Sequence, residues 1–155
     1  MDNIAARLAR LGLVLPRPSS PSANYLPWHR TGNLLFIAGQ VPKDANGQEP
    51  FIGKLGAEMD LSQGQAAAQL CALNLLAHLD TAIGGDISRV CHCVRLNGFV
   101  NAATDFGQHP AVINGASDLM VAVFGDIGRH TRVAVGVCSL PRNVAVEIDA
   151  VFEIS

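Results

Sequence analysis

The sequence is short of charge. Asp, Glu, Lys and Arg make up 15% of its 155 residues and sum to a formal net charge of −2, with a pI near 6.2. Such a balance gives no basis for general attraction to phosphate backbones or anionic membrane surfaces. The basic residues also never form a run: Arg7, Arg10, Arg17 and Arg30 lie early, Lys43 and Lys54 follow, and Arg89, Arg95, Arg129, Arg132 and Arg142 are scattered through the rest. Aromatic residues are scarce, with one Trp and one Tyr, so few flat faces exist for stacking unpaired bases. Nucleic acid is therefore not expected as a partner.

Long apolar runs are missing too. No stretch approaches the roughly 18 to 20 uninterrupted apolar residues that cross a bilayer, and Met1-Asp2-Asn3-Ile4 lacks a charged region leading into an apolar core. The expectation is a cytoplasmic protein with no membrane partner. The four cysteines, Cys71, Cys91, Cys93 and Cys138, are even in number, but a chain this long and apolar does not need disulfide staples, and reduced thiols are expected. Cys91-His92-Cys93 offers zinc-type ligands, but successive strand residues point to opposite faces and no second Cys/His pair has matching spacing. Neither a metal nor a cofactor is expected.

What the chain does have is apolar mass, 49% of its residues, enough to bury one substantial core. Ile4, Leu8 and Leu11 at helical spacing, with Gly12 as a stop, predict a short N-terminal helix. Pro16 to Pro27 reads as an extended crossing segment, and residues 1–24 are set apart from a main domain over 25–155. Leu34 to Ala38 is a buried strand, with a bulge at Gly39. Asp44-Ala45-Asn46-Gly47 signals a hairpin turn, with residues 50–53 as a weak return strand. Ser62 and Gln65 have capping-box spacing for a helix running to about Ile83 and stopping at Gly84-Gly85. Val90 to Val100 is a strand, Pro110 opens a second long helix that ends near Gly125, and strict alternation from Val144 to Ile154 marks the last strand. The order implies an α+β fold, a mixed sheet with two helices on one face.

One charge stands out. Arg132 sits in Thr131-Arg132-Val133-Ala134-Val135-Gly136-Val137, a strand otherwise suited to burial, where an unpaired guanidinium is costly unless a partner or ligand uses it. If Leu140-Pro141-Arg142-Asn143 turns this strand back on the next one, Arg132, Ala134, Gly136 and Cys138 share a face with Glu147 and Asp149. In that register Glu147 lies opposite Gly136, about 13 Å along the strand from Arg132 at ~3.3 Å per residue. A sheet face of small residues, with helices on the other side, is shaped for a second copy of the chain, and a homo-oligomer with a site near its interface is expected.

Gly32-Asn33, Phe36-Ile37-Ala38-Gly39-Gln40, the helix stop at Gly84-Gly85, Asn114, and the run from Arg132 through Leu140-Pro141 to Val146-Glu147-Ile148 together resemble the Rid/YjgF family, also labelled L-PSP endoribonuclease-like. The resemblance extends from about Tyr25 to the end. It implies a chorismate-mutase-like homotrimer with clefts between subunits that hydrolyses reactive enamines and imines of amino acids to 2-oxo acids and ammonia, without a cofactor. Carried over by position, Arg132 binds the substrate carboxylate, Glu147 orients water, Asn114 and Tyr25 line the cleft, and Gly39 admits the ligand to the backbone. Two departures stand out: Ala134 occupies a position that is cysteine in many relatives, and the N-terminal extension indicates a longer subgroup. Three classes of function remain open: an enamine/imine deaminase, a ribonuclease matching the family's other label, and a non-catalytic protein that binds small carboxylates.

Overall fold

A computed structural model describes residues 2–155. The elements run α1 (Ile4–Arg10), β1 (Trp28–Thr31), β2 (Leu34–Gln40), α2 (Leu61–Ile83), β3 (Val90–Asn101), α3 (His109–Phe124), β4 (Thr131–Val137) and β5 (Val146–Ile154). The five strands form one sheet in the order β1-β2-β5-β3-β4. All pairings are antiparallel except β3 with β4, which is parallel. The expected mixed sheet under two long helices is what the chain forms.

The alternation read in β5 places Val146, Ile148, Ala150, Phe152 and Ile154 in the core. Leu35 and Ile37 from β2, and Leu96 and Val100 from β3, extend this face, and α2 and α3 cover it. α2, and the stretch from His109 to Gly128 that contains α3, are long and apolar enough by length and composition to cross a bilayer, but two thirds of the relevant stretch of α2 is buried within the domain (67%). It touches the sheet on one side and α3 on the other, so its buried residues go around more than one face. The two helices meet backbone to backbone: a Cβ on Gly115 of α3 would strike the Gln65 carbonyl of α2. From α1, Ile4 and Leu8 are fully buried in the same core.

The helix ends follow the sequence signals with one correction. Gly84 closes α2 in the left-handed conformation (φ 66°), where an L side chain would be strained. Pro110 lies in the first turn of α3, and α3 stops at Gly125. The capping box at the start of α2 is Asp60 with Gln63, not Ser62 with Gln65: Asp60 Oδ1 accepts from the Gln63 amide at 2.8 Å and Gln63 Oε1 from the Asp60 amide at 2.9 Å. Both pairs have the required spacing, and an aspartate suits the positive end of the helix better than a serine. Gln65 is engaged elsewhere, donating to the Ala111 carbonyl at 3.0 Å.

The expected hairpin at Asn46-Gly47 is absent. Asp44 folds the turn onto itself by accepting from the Asn46 and Gln48 amides, both at 2.9 Å, and the return segment contributes one isolated bridge, Ile52 to Val144. The first hairpin is instead β1–β2, joined at Gly32-Asn33 with Gly32 at φ 56°. Gly39 does fall in the anticipated bulge, where the β2–β5 register shifts between Ile37 and Gln40.

The largest correction concerns β4. It does not fold back on β5. It lies at the sheet edge, parallel to β3, with β5 on the far side of β3 between β3 and β2. Leu96 of β3 pairs with Arg132 and with Ala150, whereas Phe99 pairs with Val135 and Glu147. Neighbours across a sheet share a face. Arg132, Ala134 and Gly136 therefore face the helices, and Glu147 and Asp149 face the opposite way. The segment from 138 to 145 is a crossing rather than a tight turn, with Arg142 (φ 53°) and Asn143 (φ 60°) both left-handed.

Candidate functional site

Arg132 lies half-buried between the edge strand β4 and α3. Its Nη1 donates to Asn114 Oδ1 at 2.7 Å and to Ser117 Oγ at 3.1 Å. Asn114 and Ser117 are three residues apart on α3 and so occupy one helix face. No carboxylate stands within 4.0 Å of Arg132 among the described residues. The charge is thus steered by two neutral acceptors, both on the same nitrogen. Nε and Nη2, the edge of a guanidinium that accepts a carboxylate in a two-point fork, make no hydrogen bond among the described residues.

Behind Arg132 the network continues inward. Ser117 Oγ lies 2.8 Å from His130 Nε2, and His130 Nδ1 lies 2.7 Å from the Gly128 carbonyl. A carbonyl only accepts, so Nδ1 carries the proton and Nε2 of the neutral ring receives the Ser117 hydroxyl. Burial lowers the His130 pKa, and the nearby Arg132 and His92 charges act in the same direction against the opposing Gly128 contact. Neutral His130 orients Ser117, and Ser117 in turn presents a lone pair to Arg132.

Glu147 belongs to a second cluster on the other face of the sheet. It packs so closely on Gly39 that any Cβ there would collide with Glu147 Oε1. The Glu147 carboxylate accepts no hydrogen bond among the described residues. Burial raises its pKa, the neighbouring Asp149 charge raises it further, and Arg142 opposes both. Asp149 is raised by burial as well, and is restrained by Asn97, whose Nδ2 donates to its Oδ1 at 2.7 Å. Arg142 is itself held by Glu49, Nε to Oε2 at 2.8 Å.

The five residues singled out in the sequence thus separate into two groups. Arg132 meets Asn114 on the helix side. Gly39 meets Glu147 on the open side, where Leu26, Phe36, Gly39 and Asp149 border a shallow hollow. Tyr25 is 51% exposed on the approach to β1, one residue before that hollow, and touches neither charged group through a hydrogen bond. Ser117 and His130 were not read from the sequence. The i, i+3 relation of Ser117 to Asn114 was the available signal, whereas His130 has no sequence cue, because its side-chain partner Ser117 comes from another element and its second partner is a backbone carbonyl.

An α+β domain with a helix-backed mixed sheet and a carboxylate-free arginine on its edge strand defines the class. The comparisons define the family. Residues 5–153 match the family described as "YjgF/chorismate_mutase-like, putative endoribonuclease", and the chain belongs to that family. It is 44% identical to Protein TCP17 of Trypanosoma cruzi over 98% of this chain and 94% of that protein. Among solved structures it is similar to the protein Atu1372 of Agrobacterium tumefaciens, described as of unknown function, at 45% identity and a TM-score of 0.92, covering 98% of this chain and 92% of the other. A second structure, described as a "putative endoribonuclease" of Shewanella oneidensis MR-1, is 34% identical with a TM-score of 0.93, covering 99% of this chain and all of the other (100%). RidA from the Antarctic bacterium Psychrobacter is more distant, at 26% identity and a TM-score of 0.58 over 89% of this chain and 94% of that one.

Proposed function

We propose that the protein is an enamine/imine deaminase acting on small carboxylate substrates of the 2-aminoacrylate type, in clefts formed between subunits of a homotrimer. The observation that carries the reading is the open Nε–Nη2 edge of Arg132, a cation oriented by Asn114 and Ser117 with no internal carboxylate partner. A substrate α-carboxylate supplies the missing counter-charge in a bidentate pair, which fixes the adjacent unsaturated carbon relative to the protein.

Hydrolysis then requires protonation of the enamine carbon to give the imine, attack of water on the imine carbon, and release of ammonia with formation of the 2-oxo acid. Glu147 has the properties for the proton transfers: it is unengaged, and its raised pKa moves it toward the pH at which a carboxyl both takes and gives protons. Glu147 and Arg132 face opposite sides of one sheet, so a common site takes Arg132 from one protomer and Glu147 with Gly39 from another. The face bearing Glu147 carries no helix and exposes Phe36 (44%) and Val135 (42%), which suits it to be covered by neighbouring copies. Tyr25 reaches the same cleft from the segment before β1.

Timing the loss of 2-aminoacrylate generated in situ tests the reading. Wild type is expected to accelerate the loss and Arg132→Ala to match buffer. Equal rates for both proteins would remove the deaminase assignment. Arg132-dependent degradation of RNA that survives repurification would replace it with the ribonuclease activity named in the family description.

A further inference from the structure

Arg132 and Gly136 lie on the same side of β4, four residues apart, or about 13 Å at ~3.3 Å per residue. Around Gly136 the structure opens into a cleft of about 500 Å³, bordered by Lys54, Thr104, Phe106, His109, Gly136 and Cys138. It contains none of the residues assigned to the deaminase reading and does not depend on that reading.

Lys54 sets its chemistry. The ammonium donates to Asn101 Oδ1 at 2.8 Å and to the carbonyl of Cys138. Both acceptors are neutral, and no carboxylate comes within 4.0 Å of Nζ among the described residues. Glu58, four residues on, accepts from the Lys54 backbone amide at 2.8 Å. No Asp or Glu borders the cleft among the described residues. A half-buried ammonium with only neutral acceptors retains its attraction for an anion, and its third proton is available to meet one.

The rest of the wall is mostly apolar. His109 stands edge-on to Phe106, with ring centroids 5.4 Å apart. It also lies against Gly136 so tightly that a Cβ there would strike His109 Nε2. Phe106, Ala102 and Val137 supply flat or compact hydrocarbon surface, and Thr104 adds a hydroxyl. A few convergent polar groups on an otherwise apolar concavity are the usual make-up of a small-molecule site.

We propose that this cleft is a second binding site, for a compact organic acid whose carboxylate meets Lys54 and whose apolar body lies on Phe106. The test uses the full-length protein and benzoate as the probe, with Cys138 as the reporter because it is exposed in the cleft wall. Carbamidomethylation by iodoacetamide is followed residue by residue by mass spectrometry, with the exposed Cys91 as the internal standard. At benzoate ten times above Kd, the Cys138 rate is expected to fall about tenfold while the Cys91 rate is unchanged. Arg132→Ala should retain this protection, and Lys54→Met should lose it. Should Lys54→Met fail to fold by circular dichroism, His109→Ala, which opens the wall, replaces it with the same expected loss. Benzyl alcohol, lacking the charge, should protect weakly. The proposal is overturned by equal Cys138 rates with and without benzoate, by protection that survives Lys54→Met or disappears in Arg132→Ala, or by inorganic phosphate or benzyl alcohol protecting as well as benzoate.

Discussion

Arg132 and Glu147 project from opposite faces of one five-stranded sheet, because Arg132 pairs through Leu96 with the core-facing Ala150 while Glu147 pairs through Phe99 with Val135. Each lacks an oppositely charged side chain within 4.0 Å among the described residues. Within one chain the two cannot act on a single small substrate. Across a subunit boundary they can, and this geometry makes the first prediction quantitative.

Arg132→Ala and Glu147→Gln proteins should each be inactive toward 2-aminoacrylate when assembled alone. Co-expressed in equal amounts, they should recover about a quarter of wild-type activity. A random closed assembly pairs an intact Arg132 from one protomer with an intact Glu147 from its neighbour at that frequency. A site confined to one chain recovers nothing. The check is the specific activity of the unfractionated co-expressed mixture, with differential tags used to confirm that mixed oligomers form.

The sequence made the layers legible but not the sheet order. Alternation in β5 and the Gly84 and Pro110 signals were strong local statements, and the elements form where they predict. The placement of β4 depends on which neighbour it pairs with, a choice that chain proximity misjudged. Residues 138–145 look like a turn because Leu140-Pro141 breaks the strand, yet β5 pairs with β2 on one edge and β3 on the other, which leaves no edge for β4. With β4 at the far edge, Arg132 and Glu147 take opposite faces, since a strand's side chains alternate and the partner strand fixes which set points inward. Family resemblance pointed to Arg132 and Asn114 as residues of one cleft, but not to the hydrogen bond between them. The Ser117–His130 extension was not legible, because it joins α3 to the segment before β4 through a tertiary contact that no local spacing announces.

Glu147→Gln separates stability from activity. The folded-state pKa of Glu147 lies above its ordinary value of 4.5, so the fold disfavours the ionised form. The resulting penalty is absent below the unfolded value, grows as pH rises through it, and is complete above the folded value. Glu147→Gln should therefore match wild type in Tm near pH 4 and exceed it at pH 7, while deaminase turnover falls about 10²- to 10⁴-fold, the usual range for losing a general acid–base group. Thermal melts at both pH values, alongside the activity assay, check this. A lower Tm for the variant at pH 7 would show that Glu147 is held by attraction rather than tolerated.

Two glycine substitutions should have opposite consequences. At Gly39 the new methyl group meets the far end of the Glu147 side chain, which can swing away. Gly39→Ala should fold normally and lose activity by displacing that carboxylate. At Gly115 the methyl group meets the Gln65 backbone of α2, which cannot move without separating the two helices. Gly115→Ala should lose about 1–3 kcal/mol of stability, the cost typical of overpacking, with the specific activity of the folded fraction unchanged. Urea unfolding and activity measured on both variants distinguish the two effects.

His78 provides a pH response located in the core. It is 2% exposed on α2, and its Nε2 has no hydrogen-bond partner among the described residues. Burial lowers its pKa below the ordinary value of 6.5, so the fold accommodates the neutral ring and resists the imidazolium. This contribution is fully present above the unfolded pKa. It declines as pH falls below that value, because the unfolded chain takes up the proton first, and the decline ends once pH passes the lower folded value. The Tm of wild type should therefore drop between pH 7 and pH 5. His78→Leu fills a similar space, removes both the orphaned nitrogen and the titration, and should flatten that part of the curve. Its Tm should exceed that of wild type at pH 5 by more than at pH 7, as measured by calorimetry in matched buffers. Parallel curves for the two proteins would assign the acid sensitivity to another group.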